Sequence, residues 1–326
     1  MSGIISHDGE KRLVLVGGRA HPELAAAVAA ELGTDLVPTT AYDFANGEIY
    51  VRFGESVRGC DTFVLQSHAV PINQWIMEQL IMVDALKRAS AKTITVVAPF
   101  YGYARQDKKH RGREPISARL VADLFRTAGA HRLMSVDLHT AQIQGFFDGP
   151  VDHLMALPLL ADYVRRRVDS SRLTVVSPDA GRVRLADQWS DRLGAPLAII
   201  HKRRDPSVPN QVKVHELVGQ VEGRTCVIVD DMIDTAGTIV QAADALFENG
   251  AADVIVASTH AVLSGPAVDR LKNSRISEVV VSDTLPIPED RRFPQLTVLS
   301  IAPLVARAIR EVFDDGSVTS LFDGQA

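Results

Sequence analysis

A pair of adjacent acids followed by a turn of small residues is the most chemically specific segment of this 326-residue sequence. Residues 226–239 read CVIVDDMIDTAGTI, an apolar run that ends at two carboxylates and leads into a helical pattern. Backbone N–H groups at a helix start, together with hydroxyls, can bind one phosphate. Carboxylates only accept hydrogen bonds, which suits the vicinal hydroxyls of a ribose or a nearby cation. The segment therefore predicts a sugar-phosphate site made by Asp230, Asp231, Asp234, Thr235, Ala236, Gly237 and Thr238.

Simpler explanations exist for part of this pattern. A strand end capped by aspartates before an ordinary N-terminal threonine of a helix would look similar, but the complete order V-D-D-x-x-x-T-x-G-T favours a ligand site. Other phosphate-binding loops are excluded, because the chain has no Gly-Lys dipeptide and no glycines spaced as G-x-G. The lack of H-E-x-x-H and C-x-x-C argues against a zinc enzyme.

Two further apolar runs end in residues suited to phosphate chemistry. Asp179 follows LTVVSP and opens the loop DAGR, which places a carboxylate for Mg²⁺ beside backbone N–H groups and Arg182. Lys202 and Arg204 follow APLAIIH and precede DPSVPNQV, a polar stretch expected to form a mobile loop. Two cations on a closing loop would offset the charge of a diphosphate during its transfer.

A third group of residues offers contacts for a nucleotide. Phe44 supplies an aromatic face, and Asn46 and Glu48 supply hydrogen bonds, although F-x-N-G-E alone is also typical of a β-turn. Arg105 and Gln106 supply a planar charged fork and an amide, although an isolated Arg-Gln pair is usually solvated surface.

Several longer segments occur together in one order along the chain. They are FANGE with IYVRFGESVRGCD (44–61), VAPFYGYARQD (97–107), VDLHTAQIQGFFD (136–148), SPDAGR (177–182) and IIHKRR (199–204). With the acid pair and its turn, they resemble the ribose-phosphate pyrophosphokinase (phosphoribosyl diphosphate synthetase) family of the bacterial, phosphate-regulated class over nearly the whole chain. The resemblance implies transfer of the diphosphate of Mg-ATP to the C1 hydroxyl of ribose 5-phosphate, with AMP as the second product.

The resemblance also implies roles for individual residues. It implies a Mg²⁺ site at His139, whose imidazole could face the ion directly or through water, and at Asp179. It assigns catalysis to Lys202 and Arg204. ATP binding is assigned to Phe44, Asn46, Gly47, Glu48, Arg105 and Gln106. The sequence departs from the family at Arg182, where glycine is more common, so the geometry of that loop is open.

Assembly and regulation are likewise implied by the resemblance alone. The family implies a homohexamer with phosphate as activator and ADP as allosteric inhibitor. In the family, the region that matches KKHRGR (108–113) lies at a subunit interface and regulatory site, although a plain solvated loop is an alternative.

Two other functions remain open from the sequence. A phosphoribosyltransferase would consume the diphosphate product, but it needs only one such domain, whereas this chain has nucleotide-binding candidates in its other half. A non-catalytic regulatory relative would be expected to lack loop or metal residues, whereas Lys202, Arg204, His139 and Asp179 are all present.

The elements that must position these residues follow an α/β pattern. Runs of Val, Ile and Leu without polar alternation predict parallel strands buried on both faces, at 13–17, 62–67, 93–99, 173–178, 226–231 and 253–259. Helical patterns separate them, including 23–33, which would end at Gly33, and 301–313, with Pro303 in its first turn.

A faint internal repeat divides the chain. DALKRASAKTITVVA from Asp84 aligns with DALFENGAADVIVAS from Asp244. We therefore predict two similar phosphoribosyltransferase-like domains, each with a mainly parallel central sheet flanked by helices. The predicted domains are residues 1–155 on the ATP side and 156–326 on the ribose 5-phosphate side.

Composition narrows the class of protein. A formal net charge of −5 argues against a general affinity for nucleic acid. We see no secretory signal and no run near the length of a membrane span, so we expect a cytoplasmic protein without membrane partners. Cys60 and Cys226 lie in apolar sequence, which predicts buried free thiols.

Overall fold

The computed structural model describes residues 5–7, 11–203 and 214–322, with the side chains of residues 11–201 and 216–322. The chain forms two compact units. Unit 1 comprises Met1–Met155, Thr284–Pro286 and Ser300–Ala326, and unit 2 comprises Ala156–Asp283 and Ile287–Leu299.

Strands and helices alternate along most of the described chain. The strands are β1 (Ile5–His7), β2 (Lys11–Gly17), β3 (Thr39–Asp43), β4 (Ile49–Phe53), β5 (Asp61–Leu65), β6 (Thr93–Ala98), β7 (Arg132–Val136), β8 (Val151–Leu154), β9 (Leu173–Ser177), β10 (Leu197–Arg203), β11 (Val214–Val218), β12 (Thr225–Ile233), β13 (Asp253–Ala261), β14 (Glu278–Ser282) and β15 (Leu296–Leu299). The helices are α1 (Pro22–Leu32), α2 (Ile72–Arg88), α3 (Ser117–Ala128), α4 (Leu157–Arg167), α5 (Val183–Leu193), α6 (Gly237–Glu248), α7 (Ala267–Lys272) and α8 (Ala302–Phe313).

Each unit is built on one mainly parallel sheet. The sheet of unit 1 has the order β1-β2-β5-β6-β7-β8, and that of unit 2 the order β11-β10-β9-β12-β13-β14-β15. Only the edge strands β1 and β11 are antiparallel to their neighbours in these described sheets. Strands such as β5 and β9 are buried along their whole length, as expected for parallel strands covered on both faces. The predicted α/β fold class is confirmed.

The internal repeat corresponds to a repeated topology. The five parallel strands β2-β5-β6-β7-β8 of unit 1 have the same order along the chain and in the sheet as β9-β12-β13-β14-β15 of unit 2. The two aligned segments each span the end of a helix and the strand after it, α2 with β6 and α6 with β13. The repeat therefore reflects two copies of one arrangement.

The last part of the chain differs from the predicted division. Residues Ser300–Ala326 belong to unit 1, not to the second domain as predicted. The reason is that α8 packs on α1, where Arg310 Nη2 donates to the carbonyl of Leu32 at 2.7 Å. Lys11 Nζ also donates to the carbonyl of Phe313 at 2.9 Å, which holds the end of α8 against β2.

Local predictions about helix ends and cysteines are confirmed. Gly33 follows α1 in the left-handed region, with φ of 70°, and its N–H reaches the carbonyls of Ala29 and Ala30. Cys60 and Cys226 are buried free thiols, and burial raises the pKa of Cys226 to about 12. No helix in the described ranges combines the length and apolar character needed to cross a bilayer.

A buried histidine in unit 1 is hydrogen-bonded through both ring nitrogens. Nδ1 of His68 accepts from the N–H of Gly102 at 2.8 Å, and Nε2 lies 2.9 Å from the side-chain oxygen of Gln79, so a neutral ring satisfies both contacts. Burial lowers the pKa of His68 to about 4.

We expect the free energy of unfolding to fall as the pH drops from 6.5 towards 4, because the unfolded chain takes up a proton that folded His68 refuses. The loss attributable to this residue is about 3 kcal/mol at the acid end. Urea unfolding at several pH values should show this slope, and the slope should be smaller in His68→Gln. An identical pH dependence in the two proteins would contradict the assignment.

Candidate active site

The acid pair and its turn lie at the topological switch point of unit 2. In this sheet, the chain runs from β9 to β10 and β11 on one side and then crosses to β12 on the other side of β9. In open parallel sheets, ligands bind beyond the carboxyl ends of strands at such a point. The loops that meet there are 178–182 after β9 and 234–236 after β12.

The turn after β12 presents the start of a helix. Ala236 adopts a left-handed conformation with φ of 60°, and α6 begins at Gly237. Ala236 has no side-chain oxygen to cap the first N–H groups of α6, so these groups suit an anion. The carbonyl of Asp234 accepts from the N–H of Ser264 at 2.8 Å, which fixes the turn from behind. Thr235 is exposed, and Gly237 and Thr238 are half-buried.

Arg182 joins the two loops at the switch point. Its Nε donates to Asp230 Oδ1 at 2.8 Å, and its Nη2 forms an ion pair with Asp231 Oδ1 at 2.7 Å. Burial, reinforced by the adjacent Asp231 carboxyl, raises the pKa of Asp230 well above its usual range, and Arg182 opposes that rise. The guanidinium therefore holds both carboxyl groups of the acid pair in fixed positions.

Asp179 lies near the start of the loop after β9, where hydrogen bonds fix its position. Its Oδ1 accepts from the N–H of Gly181 at 2.8 Å, and its carbonyl accepts from Ser177 Oγ at 2.7 Å. The side chain is only half-buried, so its carboxylate keeps access to solvent. This arrangement suits a carboxylate that meets a hydrated cation.

The predicted catalytic cations fall at the limit of the described chain. The backbone of Lys202 lies in β10, in register with His215 of β11. Arg204 and the stretch DPSVPNQV (205–212) lie outside the described residues. The roles assigned to Lys202 and Arg204 stay predictions.

The FANGE segment of unit 1 is the turn of a two-stranded hairpin formed by β3 and β4. The N–H of Phe44 donates to the carbonyl of Glu48 at 2.7 Å, and Asn46 Oδ1 accepts from the N–H of Glu48 at 3.2 Å. Gly47 has φ of 88°, a conformation that favours glycine. Phe44 is 46% exposed, and its ring contacts Tyr42 at 5.4 Å between centroids. The turn thus displays an aromatic face, as the sequence predicts for a nucleotide contact.

The remaining predicted residues of unit 1 lie on loops after two neighbouring strands. Arg105 and Gln106 are exposed on the loop after β6, and His139 is half-buried on the loop after β7. The buried Asp107 connects these loops. Its Oδ2 accepts from Thr140 Oγ1 at 2.7 Å and from Gln142 Nε2 at 2.6 Å. These bonds connect the loop that carries Arg105 and Gln106 to the loop that carries His139.

Three contributors were missed by motif reasoning, because their partners are distant in the sequence. Asp107 lies next to Gln106, but the sequence does not indicate that its side chain bonds to the loop after β7. Arg270 of α7 donates from Nη1 to the carbonyl of Thr235 at 2.9 Å, which places a guanidinium beside the phosphate turn. The sequence places Arg182 beside Asp179 and a diphosphate, whereas in the structure its side chain contacts the acid pair.

The metal candidates fit a partly hydrated cation better than a protein cage. Within the described ranges, no three His, Cys, Asp or Glu side chains cluster as a metal-binding group. Mg²⁺ commonly keeps several waters and uses one or two protein ligands together with substrate phosphates. Single donors such as Asp179 and His139 are consistent with that mode.

The basic loop at 108–113 is exposed. Glu114 Oε2 accepts from the N–H groups of His110 and Arg111 at 2.7 and 3.0 Å, and these bonds lower the pKa of Glu114. The predicted regulatory role of this loop stays a prediction.

Comparison with known proteins agrees along both halves. Residues 13–129 match the N-terminal domain of ribose phosphate pyrophosphokinase, and residues 205–323 match the phosphoribosyl synthetase-associated domain. The ribose-phosphate pyrophosphokinase of Streptomyces coelicolor is 71% identical over 325 residues, which cover 100% of both chains. That of Mycobacterium tuberculosis is 64% identical over 320 residues, covering 98% of each.

A solved structure gives the same result. The crystal structure of phosphoribosylpyrophosphate synthetase from Mycobacterium smegmatis is 63% identical, with a TM-score of 0.89 over 93% of this chain and 99% of that chain. Two family models match the chain, and its relatives match over their full length. This chain therefore belongs to the ribose-phosphate pyrophosphokinase family.

Proposed function

We propose that the residues described above carry out the ribose-phosphate diphosphokinase reaction. The C1 hydroxyl of ribose 5-phosphate attacks the β-phosphorus of Mg-ATP in line, AMP leaves, and 5-phosphoribosyl 1-diphosphate is formed. Catalysis rests on positioning and charge neutralisation, so no protein nucleophile is needed. The observation that carries the proposal is the acid pair and helix-start turn at the switch point of unit 2.

The sugar side of the reaction belongs to unit 2. The 5-phosphate would bind Asp234, Thr235, Ala236, Gly237 and Thr238, through backbone N–H groups and hydroxyls. The ribose hydroxyls would donate hydrogen bonds to the side chains of Asp230 and Asp231. The contacts of Arg182 support this role, because its hydrogen bond to Asp230 and its ion pair with Asp231 hold both carboxyl groups in place.

The nucleotide side uses the candidates of unit 1. Phe44 would contact the adenine, Asn46, Gly47 and Glu48 would supply hydrogen bonds in the same turn, and Arg105 and Gln106 would contact the nucleotide from the loop after β6. Lys202 and Arg204 would neutralise charge on the transferring group.

We also propose that Mg²⁺ is the required ion. His139 in unit 1 and Asp179 in unit 2 are each candidate ligands for such an ion, which when bound would supply charge neutralisation for the polyphosphate. The half-buried Asp179 carboxylate, fixed by Gly181, supports this assignment.

The test is the formation of AMP. With ATP, Mg²⁺ and ribose 5-phosphate, the protein should release AMP and phosphoribosyl diphosphate in equal amounts. AMP should not form when the sugar phosphate is omitted. Formation of ADP instead, or consumption of added phosphoribosyl diphosphate with a base and no AMP from ATP, would contradict the proposal and favour a transferase that uses the diphosphate.

Assembly, regulation and location complete the proposal. We propose a homohexamer that is activated by phosphate and inhibited by ADP. The exposed basic loop at 108–113 is a candidate for the regulatory contacts.

We place the protein in the cytoplasm, because both substrates are charged phosphorylated compounds that do not cross membranes unaided. No nucleic-acid or membrane partner is proposed.

A further inference from the structure

Arg19 connects the core of unit 1 to the hairpin that carries Phe44. It lies in the loop after β2, where its backbone N–H donates to Glu78 Oε1 at 2.9 Å and its Nε donates to Glu78 Oε2 at 2.5 Å. Its Nη2 reaches in the other direction and donates to Asp43 Oδ1 at 2.6 Å. One guanidinium therefore bridges a carboxylate on α2 and a carboxylate at the end of β3.

The contact with Glu78 is an anchor. The Glu78 side chain is fully buried, and its Oε1 also accepts from Gln66 Nε2 at 2.9 Å. Gln66 in turn accepts from the N–H of Ala20 at 3.0 Å. A buried carboxylate is costly unless it is paired and hydrogen-bonded, so this arrangement holds Arg19 in one place. The guanidinium also lies over the Trp75 ring, 5.6 Å from its centroid.

The contact with Asp43 reaches the root of the nucleotide turn. Asp43 is the last residue of β3 and directly precedes Phe44. Its other oxygen accepts from Gln74 Nε2 at 2.9 Å, so both oxygens are held from outside the hairpin. Within the hairpin, the Phe44 ring rests against Tyr42, which stacks on Tyr50 at 4.9 Å between centroids. Asp43 thus connects the base of the turn to Arg19 and to α2.

We infer that Arg19 is a positioning residue for the nucleotide, fixing the Phe44 turn through Asp43 with buried Glu78 as its anchor. This inference rests on the proposed function, since it assumes that the turn contacts ATP. A turn that is ordered before binding does not lose conformational freedom when the nucleotide arrives. Loosening the turn should therefore weaken ATP binding and leave the sugar site of unit 2 unchanged.

The variants Arg19→Ala, Arg19→Lys, Asp43→Ala and the double variant Arg19→Ala with Asp43→Ala separate these roles. We expect Asp43→Ala to raise the KM for ATP about 10-fold, with kcat and the KM for ribose 5-phosphate within about twofold. Arg19→Ala should raise the KM for ATP similarly, and the double variant should be no worse than the worse single variant, because both residues act through one contact.

Arg19→Lys distinguishes positioning from a merely structural role. A lysine is a single point charge that can pair with Glu78 but cannot fork to Asp43 as well. We expect it to recover thermal stability relative to Arg19→Ala, while the KM for ATP stays raised. Arg88→Ala is the matched control, since it removes an arginine–aspartate pair with Asp84 on the exposed face of α2 and should change neither KM.

Each outcome decides between the alternatives. If Arg19→Ala does not fold, Asp43→Ala still tests the inference, because it leaves the Arg19–Glu78 pair intact. An unchanged KM for ATP in Asp43→Ala, or equal changes in both KM values, would overturn the inference while leaving the proposed reaction standing. A wild-type protein that releases no AMP would instead overturn the proposed function.

Discussion

Replacement of Lys202 by alanine should lower kcat by about 100- to 1000-fold, the effect of removing one preorganised charge at a developing anion. ATP affinity should change little, because the proposed role of the lysine is to neutralise the group in transit. Turnover measured as AMP release and ATP binding measured by calorimetry are the two readouts.

Lys92→Ala is a matched control for Lys202→Ala. Lys92 is an exposed lysine next to the amino end of β6, opposite the strand ends that carry the candidate site of unit 1. It should leave turnover unchanged. Wild-type turnover in Lys202→Ala would remove this residue from the mechanism, and loss of ATP binding would assign it to substrate capture.

Enlarging Gly237 should weaken the binding of ribose 5-phosphate step by step. A Cβ at this position would lie 3.3 Å from Arg270 Nη1 and 3.9 Å from Thr235 Oγ1, so a larger side chain would grow between groups that border the phosphate turn. Gly237→Val should reduce affinity about 100-fold, equivalent to one or two lost charge-assisted hydrogen bonds. Gly237→Ala should have a smaller effect, because the exposed arginine can move.

Folding and binding can be separated in this series. Alanine is the better helix former by about 1 kcal/mol, and Gly237 is the first residue of α6, so Gly237→Ala should not lose thermal stability. ATP affinity of the same variants is the internal control, since the proposed nucleotide contacts lie in unit 1. Equal affinity for the sugar in wild type and Gly237→Val would contradict the phosphate assignment.

The sequence predicts the strands of unit 2 and the local segments at their ends well. Parallel strands covered on both faces appear as short apolar runs, which is why β9 and β12 could be recognised with the acids and loops at their ends. The turn at 234–238 is local, so residue types and spacing were sufficient to identify it.

Contacts between distant residues could not be predicted in the same way. Arg182 and Asp230 are 48 positions apart, and Arg19 and Glu78 are 59 apart. Neither pair has a periodic or local signature in the sequence. An arginine in a loop is most often solvated, so its residue type alone does not indicate a buried acidic partner. Only the sheet topology shows that the loops after β9 and β12 meet.

The division between domains shows a similar limit. The apolar face of α8 is clear in the sequence, and Pro303 correctly indicated its first turn. A pattern of this kind shows that a helix covers a core, but not which core. Its packing against α1 placed the end of the chain in unit 1, whereas sequence order favoured the second domain.

A crystal structure of the protein soaked with ribose 5-phosphate tests the central claim most directly. We predict phosphate density against the N–H groups of residues 235–238, with the ribose hydroxyls within hydrogen-bond distance of Asp230 and Asp231. Clear density for the sugar phosphate elsewhere, with this turn empty, would contradict the account.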